Sequence, residues 1–271
     1  MKMTDAQVAQ YQRDGFIIFP NLFTRAEIDM LRAETARLSE VKAETVIREH
    51  TGGVRSIFRV HEDDGATRSP AFRALVRTPR VLEPMRQALN GDVYVYHTKI
   101  NTKPAIEGTV WMWHQDYGSW KRDGCPRADM ATFAVMMTDS TEMNGALYVV
   151  PGSHQRGRIE PYYDENTSYK FWAVPKADIV SVLKSSPPPV PITGAAGTCV
   201  LFHCNLLHAS GHNLSAEDRW HIYISFNSCA NAPQFTPQSR ADWVVSRNTK
   251  PLPVEADLIP DPVRNYSESL A

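Results

Sequence analysis

Residues 197–227 read GTCVLFHCNLLHASGHNLSAEDRWHIYISFN. Two runs rich in aliphatic, β-branched and aromatic residues, GTCVLFHCNLLH and RWHIYISFN, flank a polar reversal, GHNLSAED. Runs of that kind, broken by Gly, Asn and Asp, have the signature of strands joined by turns. The same character appears upstream in DVYVYHTKIN (92–101), MATFAVMMT (130–138) and ALYVVPGS (146–153). Their spacing predicts a sandwich or barrel of antiparallel strands. Asn144-Gly145, between two of the runs, has the composition of a hairpin turn.

Before residue 92 the pattern changes. Thr4 to Gln7 and Thr24 to Glu27 both fit the capping box, in which the first residue and the fourth bond each other's backbone. After the second box Ile28, Leu31 and Leu38 recur at helical spacing, and a further helix is expected from Pro79 to Leu89, ending at Asn90-Gly91. The apolar stretch GFIIFPNLF between the first two helices reads as a strand. The chain therefore divides into a helical part over about 1–91, a β core over about 92–230 and an irregular segment over 231–271. Residues 155–190 break the rhythm and end in KSSPPPVPITG, so an irregular insertion, acting as a lid, is expected there. No repeat or linker divides the 271 residues, which predicts a single domain.

The composition is that of a soluble globular protein, 42% hydrophobic and 22% charged. A net charge of −1 provides no electrostatic attraction to nucleic acid or an anionic membrane, so neither is expected as a partner. No apolar run approaches the ~20 residues that cross a bilayer. The N-terminus lacks the apolar core of a signal peptide, and Cys125, Cys199, Cys204 and Cys229 form neither a disulfide framework nor a zinc knuckle. A cytoplasmic protein acting on a small molecule is the expectation, as a monomer or a homodimer.

The stretch WMWHQDYGSW (111–120) places His114 and Asp116 two apart. By itself this pair is weak evidence, because about one His-x-acid is expected by chance in such a chain. On an extended strand residues i and i+2 share a face, so both side chains point the same way and Gln115 points away. Two imidazoles and one carboxylate on a single face hold a divalent metal with open positions, the arrangement of non-haem iron oxygenases. The third ligand has four candidates in the opening stretch: His203, His208, His212 and His221. His208 is favoured because Ala209-Ser210-Gly211 leaves room beside it and Arg219 follows eleven residues later. An antiparallel return would bring Arg219 back near His208, where its guanidinium could grip a carboxylate. 2-Oxoglutarate, a diacid that chelates iron at one end, suits that spacing. A zinc hydrolase could use the same three ligands but has no use for Arg219.

The ordered motifs VRSIFRVHE, GDVYVYHTKIN, WHQDYGSWKRDG, NGALYVVPGSH and LLHASGHNLSAEDR resemble those of the phytanoyl-CoA dioxygenase family, from roughly Val54 to Asn227. Within it, ectoine hydroxylases and bacterial free-proline 4-hydroxylases are the most alike. The resemblance implies a mainly β fold with flanking helices around a double-stranded β-helix, the jelly-roll core of the cupins. It implies Fe(II) on His114, Asp116 and His208, with 2-oxoglutarate and O2 as co-substrates and ascorbate as the reductant for assays in vitro. Carried over position by position, Arg219 and Ser210 would bind the distal carboxylate, Asn101 the carboxylate near the metal, with Thr132 helping, and Trp111 would wall the co-substrate. Lys99, His97, Trp120, Phe202 and Tyr223 fall where the relatives line their substrate pocket. Lys99 replaces the arginine of ectoine hydroxylases and matches the proline-type enzymes, whereas His97 departs from a frequent glutamine. Asp116 favours hydroxylation over halogenation, which needs a small residue there. The expected reaction is hydroxylation of an unactivated C–H in a small, proline-like amino acid. Ectoine or a secondary-metabolite intermediate is the alternative, with desaturation and epoxidation open to the same chemistry. A non-enzymatic cupin-like binding module is the alternative of a different class. Arg55, His61 and His154 lie in motifs shared with the relatives and are further candidates beside the pocket.

Overall fold

Both N-terminal helices start where the sequence caps them. Thr4 opens α1 (Asp5–Asp14) and Thr24 opens α2 (Arg25–Ser39), each with the reciprocal hydrogen bonds of a capping box. The computed structural model describes residues 1–49, 52–165 and 171–257. The remaining elements are β1 (Phe16–Phe19), β2 (Val46–Arg48), β3 (Val54–Phe58), α3 (Pro70–Leu75), α4 (Pro79–Ala88), β4 (Val93–Lys103) and β5 (Trp111–His114). Then follow α5 (Asp116–Trp120), β6 (Met130–Met136), β7 (Leu147–Val149), β8 (Tyr162–Asp164) and β9 (Phe171–Ala173). The chain continues through α6 (Lys176–Ser185), β10 (Val190–Ile192), β11 (Cys199–His203), β12 (His208–Ser210) and β13 (Arg219–Ser228).

The strands form a seven-stranded sheet, β1-β11-β6-β13-β4-β3-β2, and a four-stranded sheet, β10-β7-β12-β5. A two-stranded hairpin, β8-β9, stands apart. Alternation along the strands explains the layers. On β11, Val200 and Phe202 meet Leu147, Val149 and Ile192 of the smaller sheet, whereas Leu201 joins Ile28, Leu31 and Leu38 of α2 on the outer face. Two antiparallel sheets packed face to face, with helices against the larger one, make a jelly roll.

Several local expectations need correction. The stretch between the first two helices is the expected strand, β1, but the N-terminal part also contributes β2 and β3 to the larger sheet. Asn144-Gly145 makes no hairpin, because β6 and β7 lie in different sheets. The run GTCVLFHCNLLH is two strands rather than one, with β11 in the larger sheet and β12 in the smaller. Likewise β12 and β13 do not pair, and the polar reversal between them carries the chain from one sheet to the other. Residues 155–190 are not irregular throughout, since they hold the hairpin strand β8, its partner β9 and α6. Among the described residues no helix is long and apolar enough to cross a membrane.

Candidate metal centre

β5 and β12 pair antiparallel with His114 directly opposite His208. Each imidazole is oriented by its own backbone: His114 Nδ1 lies 2.7 Å from the Met112 carbonyl and His208 Nδ1 2.9 Å from that of Leu206. Donation from both Nδ1–H groups leaves both Nε2 lone pairs free for a common point. Burial, and then the neighbouring His208, hold the His114 pKa well below its ordinary value, which keeps the ring neutral as a metal ligand must be.

Asp116 reaches the same point by a different local route from the one expected. β5 ends at His114, Gln115 is extended at φ −116° and ψ 132°, and Asp116 is the first residue of α5. Its Oδ1 lies 3.8 Å from Nε2 of each histidine. The three ligand atoms all fall within 4.8 Å of one another. Gln115 does face away, and it fixes the turn: its Oε1 accepts from Ile159 N–H at 2.8 Å, and its Nε2 donates to the Gly157 and Asn205 carbonyls at 2.9 and 2.7 Å. Thr132 Oγ1 donates to the second Asp116 oxygen at 3.3 Å and contacts Ser225 Oγ at 3.0 Å. Two neutral imidazoles and a carboxylate supported from behind suit Fe(II) and leave further positions open to ligands.

One pocket beside the triad is lined by His97, Lys99, Asn101, Trp111, Phe202, Ser210 and Tyr223. Arg219 lies behind them, in a cleft whose wall also includes Asn101 and Trp111. It is 1% exposed, donates from Nη1 to His221 Nδ1 at 2.9 Å, and its Nε has no partner in the protein. An orphaned guanidinium nitrogen at that depth fits an anionic group arriving from outside the chain. Lys103, passed over in the sequence, also lines this cleft. The signal for it was its place in the Lys99, Asn101, Lys103 alternation of β4.

On the open side of the triad a cavity of about 480 Å³ extends past Lys99, Phe58, Trp120 and Phe171 to Arg240 and Trp243. Lys99 Nζ sits 4.2 Å over the Trp111 ring, and burial lowers its pKa to about 8 although Asp116 opposes the shift. The β13–β4 register shifts between Ser225 and Phe226, leaving Tyr96 as an extra residue in β4. Beyond that bulge Tyr96 and His97 both turn to the Trp120 ring, at 5.4 and 5.8 Å. His97 Nδ1 is buried without a partner, a second orphan in the cavity wall. Phe171 of β9 closes edge-on against Trp111 and His114, at 5.7 and 5.2 Å.

The tryptophan-rich stretch does not follow simple alternation, because the β5–β12 register shifts between His208 and Ser210. Trp111 and Trp120 face the cavity, while Trp113 packs beside Val150 and Leu207, and Tyr117 donates to the Cys125 carbonyl at 3.1 Å. Arg55 lines the outer cavity, whereas His61 bonds Thr98 Oγ1 at 3.0 Å away from both cavity walls. His154 contacts the Gln12 carbonyl at 3.1 Å and lies tilted against the His203 ring at 5.2 Å, outside both cavity walls. The C-terminal residues Arg240 and Trp243 were missed, because nothing in their local pattern distinguishes a cavity wall from a loop.

Residues 11–220 match the phytanoyl-CoA dioxygenase family. The ectoine dioxygenase of Nocardia farcinica is 35% identical over 261 residues, covering 91% of this chain and 86% of that one. The L-proline trans-4-hydroxylase of Streptomyces griseoviridis is 33% identical, covering 94% and 97%. The crystal structure of EctD from S. alaskensis with 2-oxoglutarate and 5-hydroxyectoine superposes with a TM-score of 0.82 at 26% identity, over 95% of this chain and 89% of that one. With the jelly roll and the His-Asp-His cluster already in place, the chain belongs to the phytanoyl-CoA dioxygenase family of Fe(II)- and 2-oxoglutarate-dependent oxygenases.

Proposed function

We propose that the enzyme hydroxylates an unactivated C–H of a small cyclic amino acid of the proline or ectoine type. The observation that carries this reading is Lys99. It is a cation in the cavity wall beside the triad, stacked on Trp111, with no acidic partner within ion-pair distance among the described residues. A substrate carboxylate supplies the missing charge, and the surrounding rings of Trp120, Tyr223 and Phe202 suit apolar ring carbons. The likeness to both an ectoine dioxygenase and a proline hydroxylase supports the same class.

His114, Asp116 and His208 would hold the iron, which when bound activates O2 in concert with oxidative decarboxylation of 2-oxoglutarate to succinate and CO2. The chain's own contribution is placement. Arg219 and Ser210 take the distal carboxylate, Asn101 the end near the metal, and Trp111 walls the co-substrate. Lys99 orients the substrate so that one C–H faces the metal. Trp111, Phe171 and Trp120 exclude water from the reacting centre. Asp116 occupies the position that a halogenase leaves open, which favours hydroxylation over halogenation. The four cysteines are all unpaired, which suits a reducing, cytoplasmic setting.

Purified protein supplied with Fe(II), ascorbate and 2-oxoglutarate should release succinate faster on addition of proline or ectoine, and mass spectrometry should show a product heavier by one oxygen. No acceleration by either compound or by related cyclic amino acids would sink the substrate assignment.

A further inference from the structure

We propose that Thr132 and Ser225 act as a hydroxyl pair that positions Asp116 for metal binding: Ser225 aligns Thr132, and Thr132 ties the second carboxylate oxygen back to the larger sheet. The proposal rests on the reading that Asp116 is a metal ligand.

The two hydroxyls are out of keeping with their surroundings. On β6 the alternate residues Ala134 and Met136 meet Leu147, Val149 and Ile192 of the smaller sheet, and Thr132 shares their face. Ser225 stands directly opposite Thr132 in the β6–β13 register, at the last residue before the bulge against β4. Thr132 is 1% exposed and Ser225 2%. Valine and alanine would pack there with no polar group to satisfy, and a buried hydroxyl costs free energy unless it is bonded. Both residues also line the pocket beside the triad.

Counting protons fixes the direction of the bonds. A metal-binding carboxylate accepts only, so at 3.3 Å from Asp116 Oδ2 it is Thr132 Oγ1 that donates. That uses the one proton of the threonine hydroxyl. The 3.0 Å contact with Ser225 Oγ is then a bond that Ser225 donates and Thr132 accepts. Among the described residues no other hydrogen bond reaches Thr132 Oγ1. Meanwhile Asp116 Oδ1 lies 3.8 Å from Nε2 of both histidines. One oxygen is given to the ligand point and the other to the sheet, which favours attachment through a single oxygen and leaves more positions open on the metal. An anion cannot donate, so 2-oxoglutarate would bond Thr132 only by drawing the proton away from Asp116. Thr132 therefore serves the metal ligand rather than the co-substrate carboxylate to which the family resemblance assigns it.

Calorimetric titration of Co(II) into metal-free protein, with the visible bands of the bound ion recorded, tests the pair. Thr132→Val keeps the shape and removes the donor, so it should bind Co(II) about 10- to 100-fold more weakly and shift the bands. Thr132→Ser should stay close to wild type in both. Ser225→Ala should lose about three- to tenfold in affinity. Thr132→Val combined with Ser225→Ala should be no weaker than Thr132→Val alone, because Ser225 acts through Thr132. Wild-type Co(II) affinity in Thr132→Val, with or without a loss of 2-oxoglutarate affinity, overturns the proposal, and so do additive losses in the double variant. Should Thr132→Val fail to fold, Ser225→Ala decides: weaker Co(II) binding supports the pair and wild-type binding overturns it. Asp116→Ala separates the two levels, since wild-type Co(II) binding there overturns the ligand assignment itself.

Discussion

His114 and His208 are ligands by virtue of what holds them. Each ring is turned by a carbonyl two residues earlier on its own strand, and the strands bring the two rings to 4.1 Å between centroids. This backbone orientation costs no extra side chain and sets the tautomer before a metal arrives. Asp116 depends on more of the molecule, since Gln115 ties its turn to the carbonyls of Gly157 and Asn205. Removing one of three donors leaves an incomplete face. His208→Ala should lose Fe(II) binding, and its substrate-dependent succinate release should drop by at least about 100-fold. Unchanged succinate release would exclude His208 as a ligand.

At the scale of elements, α2 shows how local code and packing combine. Its capping box starts the helix, and Ile28, Leu31 and Leu38 then lie fully buried on the outer face of the larger sheet. Thr24→Ala should destabilise the protein by about 1 kcal/mol in denaturant unfolding, with Thr24→Ser close to wild type. The β4 bulge acts on the opposite face of that sheet. Without the extra residue Tyr96, strict alternation would send either Tyr96 or His97 away from the cavity. The small sheet contributes differently, because its two short strands β5 and β12 carry both histidines and little else of the core.

Across the whole molecule, the C-terminal segment is bound to the cavity by an ion pair between half-buried Arg240 and buried Asp123. Arg240 donates to Asp123 from Nε and Nη2 at 2.9 and 2.7 Å, and the Tyr96 hydroxyl donates to the same carboxylate. Burial would raise the Asp123 pKa, but the Arg240 pair outweighs it and holds the group below its ordinary value. A depressed carboxylate stabilises the fold fully above its unfolded pKa, about 4, and the contribution is lost as pH falls through the folded value. Asp123→Asn should therefore be less stable than wild type by about 1–3 kcal/mol at pH 7, with the gap closing below about pH 4. Equal pH dependence of unfolding in the two proteins would show that this pair does not carry the linkage.

Much of this protein is written in short-range pattern. Capping boxes and strand composition each depend on a few consecutive residues, which adopt the expected local forms, whereas Asp116 meets His114 from the start of α5 rather than from the same strand. The ordered motifs also identified the family, because a ligand set and its spacing survive wherever the chemistry does. Pairing across the fold was not legible there. Whether β12 continues β11 or crosses to the other sheet, whether Lys103 ends beside Ser210, and whether Arg240 returns over the cavity all depend on contacts between residues far apart in sequence, about sixty positions for β12 with β7 and more than a hundred for the other two. Such contacts are selected by burial of whole faces rather than by neighbours in sequence, so only the packed sheets decide them.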